Sequence, residues 1–300
     1  MNGTAHASSI GRREAISTRV QPMAARHTID PMDLPAPQIV TAHGVLGLPR
    51  ALPVSPELDE QLVAALRSAF PNVVLRQPPL MGGPLTEGPR LILTSTSAQL
   101  VITAAQADFE VRFYGDFESD AERALAYVSS KLEAIRAGFQ AVGLTPGSIG
   151  CVLLAQFSFA ALDVSPVEHI LATHLRLQID PNELEDAIAR IGVKVRDKYF
   201  VSLRVANYET RRIQRPMMLG DFQQQVVVKP WEGDQEDYGI GLTIDINNTL
   251  EMKTLHADPE ITDAGVRAMM DLTSRCLTTA GPEFVSDGTL SANAFVGEPA

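Results

Sequence analysis

Two cysteines are all that 300 residues offer, so no disulfide framework is available. Cys151 and Cys276 both sit in apolar stretches, one reading as a strand and the other as a helix, which points to buried thiols in a reducing cytosol. Positive charge is also scarce: 25 Lys and Arg face 36 Asp and Glu, a formal net charge of −11. That balance excludes general nucleic-acid binding and attachment to an anionic membrane, which need a basic surface. No apolar run reaches the roughly 18 residues of a membrane span, and no hydrophobic leader follows Met1, so a soluble cytoplasmic protein is expected.

Catalytic signatures are missing as well. Gly44-Val45-Leu46-Gly47 and Met81-Gly82-Gly83-Pro84 lack the strand and helix that flank a phosphate loop. There is no G-x-S-x-G elbow, and Ser148 has no histidine near it in sequence. Carboxylate pairs such as Glu118/Asp120, Glu183/Glu185 and Asp234/Glu236 fall at helix starts or in polar loops, where they serve caps and solvation. His169 and His174 are five apart, which spreads them by about 140° on a regular helix, whereas metal pairs sit four apart. No catalytic residue, metal or cofactor is therefore assigned.

What is present is a strong fold pattern. Leu125, Val128, Leu132, Ile135, Phe139 and Val142 recur at steps of three and four within Ser119–Gly143, one stripe of a helix roughly 35 Å long. Ser119 and Glu122 read as its capping box, and Gly143 as its stop. Ahead of it come short strands at Arg90–Thr94, Gln99–Thr103 and Asp108–Tyr114, the last with Phe109, Val111 and Phe113 on one face. Ser55-Pro56-Glu57 opens an earlier helix, which a strand at Val73–Arg76 follows. Gly150–Ala161 is apolar nearly throughout and reads as a strand buried on both sides.

The second half repeats this rhythm. Ser165-Pro166 and Asp180-Pro181 start helices, and strands follow at Tyr199–Tyr208, Gln223–Lys229 and Tyr238–Ile246. Asp258-Pro259-Glu260 begins a last helix carrying Val266, Met269, Met270, Thr273, Cys276 and Leu277 inward. The reading is an α+β fold of antiparallel meander sheets, with long amphipathic helices on one face and two similar halves. Residues 1–50, with three prolines between Ile29 and Pro37, form a flexible lead; 51–160 and 161–282 are the halves; 283–300 is a tail.

From Arg90 onward this order of elements resembles a sporadically distributed family of uncharacterised bacterial proteins. The stretches that carry the likeness are Arg90–Tyr114, Ser119–Phe139, Gly150–Phe159 and Tyr238–Met252. The resemblance implies an α+β fold and no assigned reaction. The Pro-rich lead departs from it, since that family opens on a core strand near its start.

One electrostatic feature stands out. Residues 190–229 hold nine Lys and Arg against three Asp and Glu, the basic band of an acidic protein. Arg211, Arg212 and Arg215 are placed in the loop after Tyr199–Tyr208, where their planar forks suit a carboxylate or phosphate. The competing reading pairs them with Glu232, Asp234, Glu236 and Asp237. The expected function is partner or anionic-ligand binding by a scaffold or regulatory protein, with a homo-oligomer among its forms. The alternative is a small-molecule-binding or hydrolytic enzyme with its site in the groove between helix and sheet.

Overall fold

The computed structural model describes residues 29–53, 55–76, 88–177, 184, 186–212, 234–255 and 260–295. Its architecture is α+β, with one antiparallel sheet of nine strands in the order β2-β3-β4-β5-β1-β6-β9-β8-β7. The strands are β1 Gln38–Gly47, β2 Asn72–Arg76, β3 Leu91–Thr94, β4 Ala98–Ile102, β5 Gln106–Arg112, β6 Ser148–Ser158, β7 Ile188–Val195, β8 Tyr199–Arg212 and β9 Asp234–Asn247. Strands β5 to β2 form one wing and β9 to β7 the other, with β1 and β6 between them.

The helices are α1 Pro56–Leu66, α2 Asp116–Ser119, α3 Ala121–Ala141, α4 Pro166–Ile170, α5 Thr249–Leu255, α6 Asp263–Arg275 and α7 Gly281–Asp287. Five-residue π-turns, Leu171–Leu175 and Cys276–Ala280, extend α4 and join α6 to α7. The stripe of α3 is buried through Leu125, Val128, Leu132, Ile135 and Phe139. Leu132 lies so close over β1 that a Cβ on Gly44 would fall 2.6 Å from its Cδ2, so only glycine lets the helix settle there. Helix α6 lies beside α3 on the other half of the sheet, and Arg136 reaches across to pair with Asp263. The largest fully buried side chains, Phe70, Phe109, Phe139, Phe157 and Phe159, fill the layer between helices and sheet.

Several expectations need correction. Residues 38–47 are not part of a loose lead: β1 pairs with β5 on one side and β6 on the other, and Ile39, Ala42 and Leu46 are core. The rest of the lead up to residue 28 lies outside the described residues. Strand β6 is buried on one face only; its burial alternates residue by residue. Asp120, not Ser119, caps α3, accepting from the Arg123 amide at 3.0 Å, because α2 takes up Ser119. Helix α6 starts at Asp263 with Thr262 as its cap, not at Asp258. The tail foreseen for 283–300 is replaced at its start by α7, with Phe284 and Val285 buried. The Asp180-Pro181 helix start and the Gln223–Lys229 strand lie outside the described residues.

Candidate functional site

Strand alternation divides the sheet into an apolar face under the helices and an open face whose side chains stay half-buried or exposed. Cross-strand register lines up the open face in rows. One row reads Asp108, Val45, Gly150, Asn247, Phe200, Lys194 from β5 to β7. Another reads Arg112, Thr41, Leu154, Thr243, Arg204, Arg190. In these two rows β1, β6 and β9 contribute only uncharged side chains, and the charges stand at the two ends.

At the β7–β8 end three cations stand together. Arg190 and Arg204 are direct cross-strand partners, and Lys194 is on the same face of β7. Arg190 Nε donates to Ser202 Oγ at 2.7 Å, which fixes the guanidinium and leaves its two terminal nitrogens as an outward fork. Among the described residues no carboxylate lies within ion-pair distance of Arg190, Lys194 or Arg204. Asp245, one strand away, instead accepts from Asn247 Nδ2 at 3.3 Å.

Of the three arginines singled out from the sequence, Arg211 and Arg212 lie on a strand and not in a loop. Strand β8 continues through Arg211 and Arg212, which pair in register with Gln235 and Asp234 of β9. Arg215 lies outside the described residues, as does Glu232. Of the acids proposed as their partners, Asp234, Glu236 and Asp237 are strand residues too, and Asp237 is already engaged. Its carboxylate accepts from Tyr208 Oη at 2.7 Å and from Ser158 Oγ at 2.5 Å. Burial, then the Asp237 charge, pushes the Tyr208 phenol well above its ordinary range. The residues sequence reasoning passed over carried a legible signal: Arg190 and Lys194 are four apart in Ile188–Val195, hence on one strand face, and Arg204 is on the outward face of the alternating stretch Tyr199–Tyr208.

A second feature lies at the other end, where Thr94, Ser95, Ser97, Gln99, Glu110 and Tyr114 line an open depression of about 390 Å³. Its charges face each other, Arg112 Nε lying 3.8 Å from Glu110.

The histidine pair is not a surface feature. A π-turn closes on the fifth residue, so positions five apart return to one side. His169 and His174 face each other with ring centroids 6.3 Å apart, between Phe159 and Phe284. His169 Nε2 donates to the Val285 carbonyl at 2.6 Å. Burial, with the neighbouring His169, pushes the His174 imidazole down to about 4. Among the described residues no three His, Cys, Asp or Glu gather as a metal site would need. Cys151 and Cys276 are buried free thiols, each pushed up to about 12 by that burial. Among the described residues no helix is long and apolar enough to cross a membrane. No family model matches this chain, and no curated protein matches it.

Proposed function

We propose that this chain is a non-catalytic binding protein of the bacterial cytoplasm, a scaffold or regulatory module that takes an anionic partner or ligand at the β7–β8 end of its open face. The observation that carries this reading is the opposed pair Arg190 and Arg204. Like charges directly opposite on adjacent strands destabilise a sheet by about 0.2–1 kcal/mol, and a carboxylate or phosphate set between two guanidinium forks reverses that sign. The local field there opposes the acidic whole and steers an anion to this end. The cytoplasmic setting is supported by the two free thiols. The enzyme alternative places its site between helix and sheet, a layer filled by buried phenylalanines.

The test is binding of fluorescent poly-L-glutamate to the full chain and to the double variant Arg190→Ser/Arg204→Ser. Expected are saturable binding that weakens with salt and a loss of about tenfold or more in the variant, with an unchanged thermal midpoint. Equal binding by both proteins overturns the reading.

A further inference from the structure

Resting on the reading just given, we infer that the outer edge of β7 accepts an extended acidic peptide as a tenth strand, with its acids four residues apart over Arg190 and Lys194.

The backbone supplies the first argument. Strand β7 ends the sheet, and among the described residues no strand pairs with its outer side. It runs in unbroken register with β8 from Ile188↔Ala206 to Val195↔Tyr199. Such a straight edge presents a row of unpaired N–H and C=O groups to a new strand. At the opposite edge β2 is shorter, and its pairing slips between Val73 and Leu75. That break spoils the template there.

Side chains give the second argument, because they alternate between cationic and apolar. Arg190 and Lys194 lie on the open face with Gly192 between them, and Ile191 and Val193 lie on the helix face. Ile191 stays 38% exposed for want of a neighbour beyond the edge. The Phe200 ring lies over Gly192, so close that a Cβ there would meet it at 2.8 Å, and offers an apolar surface to the centre of an added strand. An antiparallel strand therefore wants acid, apolar, apolar, apolar, acid in that order.

Edge protection by charged residues accounts for Arg190 and Lys194 alone. It does not account for Arg204, which stands on the interior strand β8 where no edge needs guarding. A carboxylate over Arg190 is within the reach of both guanidinium groups, and that explains why the two are opposed. A second copy of β7 is a poor occupant, because it brings its own Arg190 and Lys194 to a face that already holds three cations.

The probe is the labelled heptapeptide Thr-Glu-Val-Tyr-Val-Glu-Thr, followed by anisotropy with the full chain. Controls are the same peptide N-methylated at the tyrosine and both glutamates, whose amides face the edge because the Ala187 amide and the Val195 carbonyl turn odd-numbered positions of β7 toward β8, and a version with Lys for Glu. Expected are binding of the parent, a loss of at least about tenfold on N-methylation, and slowed amide exchange within residues 188–195. The double variant Arg190→Glu/Lys194→Glu should switch preference to the Lys peptide, which a merely misfolded protein would not do. Equal binding of parent and N-methylated peptides overturns strand addition, even where poly-L-glutamate still binds and the broader reading stands. So does failure of the parent peptide with poly-L-glutamate still bound. Self-association through β7 in place of peptide binding also overturns it. Failure of every anionic probe removes both readings together.

Discussion

On the open face of β5 every charged side chain has a partner: His43 Nε2 lies 3.5 Å from Asp108, which also accepts from Gln106 Nε2, and Glu110 faces Arg112. On β7 and β8 Arg190, Lys194 and Arg204 have no carboxylate partner among the described residues. The same contrast holds at the edges, where β2 is short and bulged and β7 is regular. Exposed ion pairs contribute only about 0–1 kcal/mol, so stability does not explain the difference. One wing neutralises itself and offers nothing to a charged partner. The other keeps its charge and its backbone edge available, which is the ground for proposing recognition there.

The comparison assumes that both wings hang on one frame, and the largest effect tests that. Removing residues 1–50 deletes β1, the strand between β5 and β6. The truncated chain should show no cooperative urea transition; a native-like transition would mean that each wing stands alone. Next in size, Leu132→Ala in α3 and Met269→Ala in α6 should each cost about 2–5 kcal/mol by equilibrium denaturation, since both side chains are fully buried. A loss below half a kcal/mol in one of them would show that the interior is not shared.

A smaller effect concerns pH and the second wing alone. His174 titrates near 6.5 when unfolded and at about 4 when folded, so between these values the unfolded chain binds a proton that the native one refuses. Stability should fall as pH drops from about 6.5 to about 4 and gain no further loss from this group below that. His174→Gln should flatten that part of the denaturation profile; an unchanged slope would relocate its cause to the carboxylates. Smallest of all, Arg204→Ser should move stability by no more than about half a kcal/mol, and upward if it moves, because it relieves the opposition to Arg190. A clear loss in calorimetry would make Arg204 a structural residue and end the contrast between the wings.

Much of the helical layer was legible from residues. Ser55 caps α1, accepting from the Leu58 amide, and the α3 stripe is buried as its spacing requires. Strand β1 was hidden because prolines 31, 35 and 37 colour its approach and Gly44 and Gly47 dilute its alternation. What Gly44 does, admitting Leu132, is a tertiary fact with no local signature. The β7–β8 hairpin was missed because its tight turn is made by Arg196 and Asp197, both at positive φ, with the Lys198 amide bonded to the Val195 carbonyl. Asn-Gly is the usual sign of such a turn, and neither residue stands here. The start of the expected tail is helical instead, since the π-turn before Gly281, itself at φ −66, carries the chain on into α7. At the candidate site the basic band was seen, but attention fell on the arginine cluster rather than on the alternation that puts Arg190 and Arg204 on one face.

The central place of β1 also governs how the chain is born. This strand is made before both of its neighbours, and the second of them, β6, ends about 110 residues later. At roughly 5–20 residues per second, that is a wait on the order of 5–20 s before its second pairing side can close, β5 having become available on the first side meanwhile. Contacts this distant in sequence also slow the search that follows. The nascent protein is thus exposed to misassembly for longest at the strand that later joins its two wings.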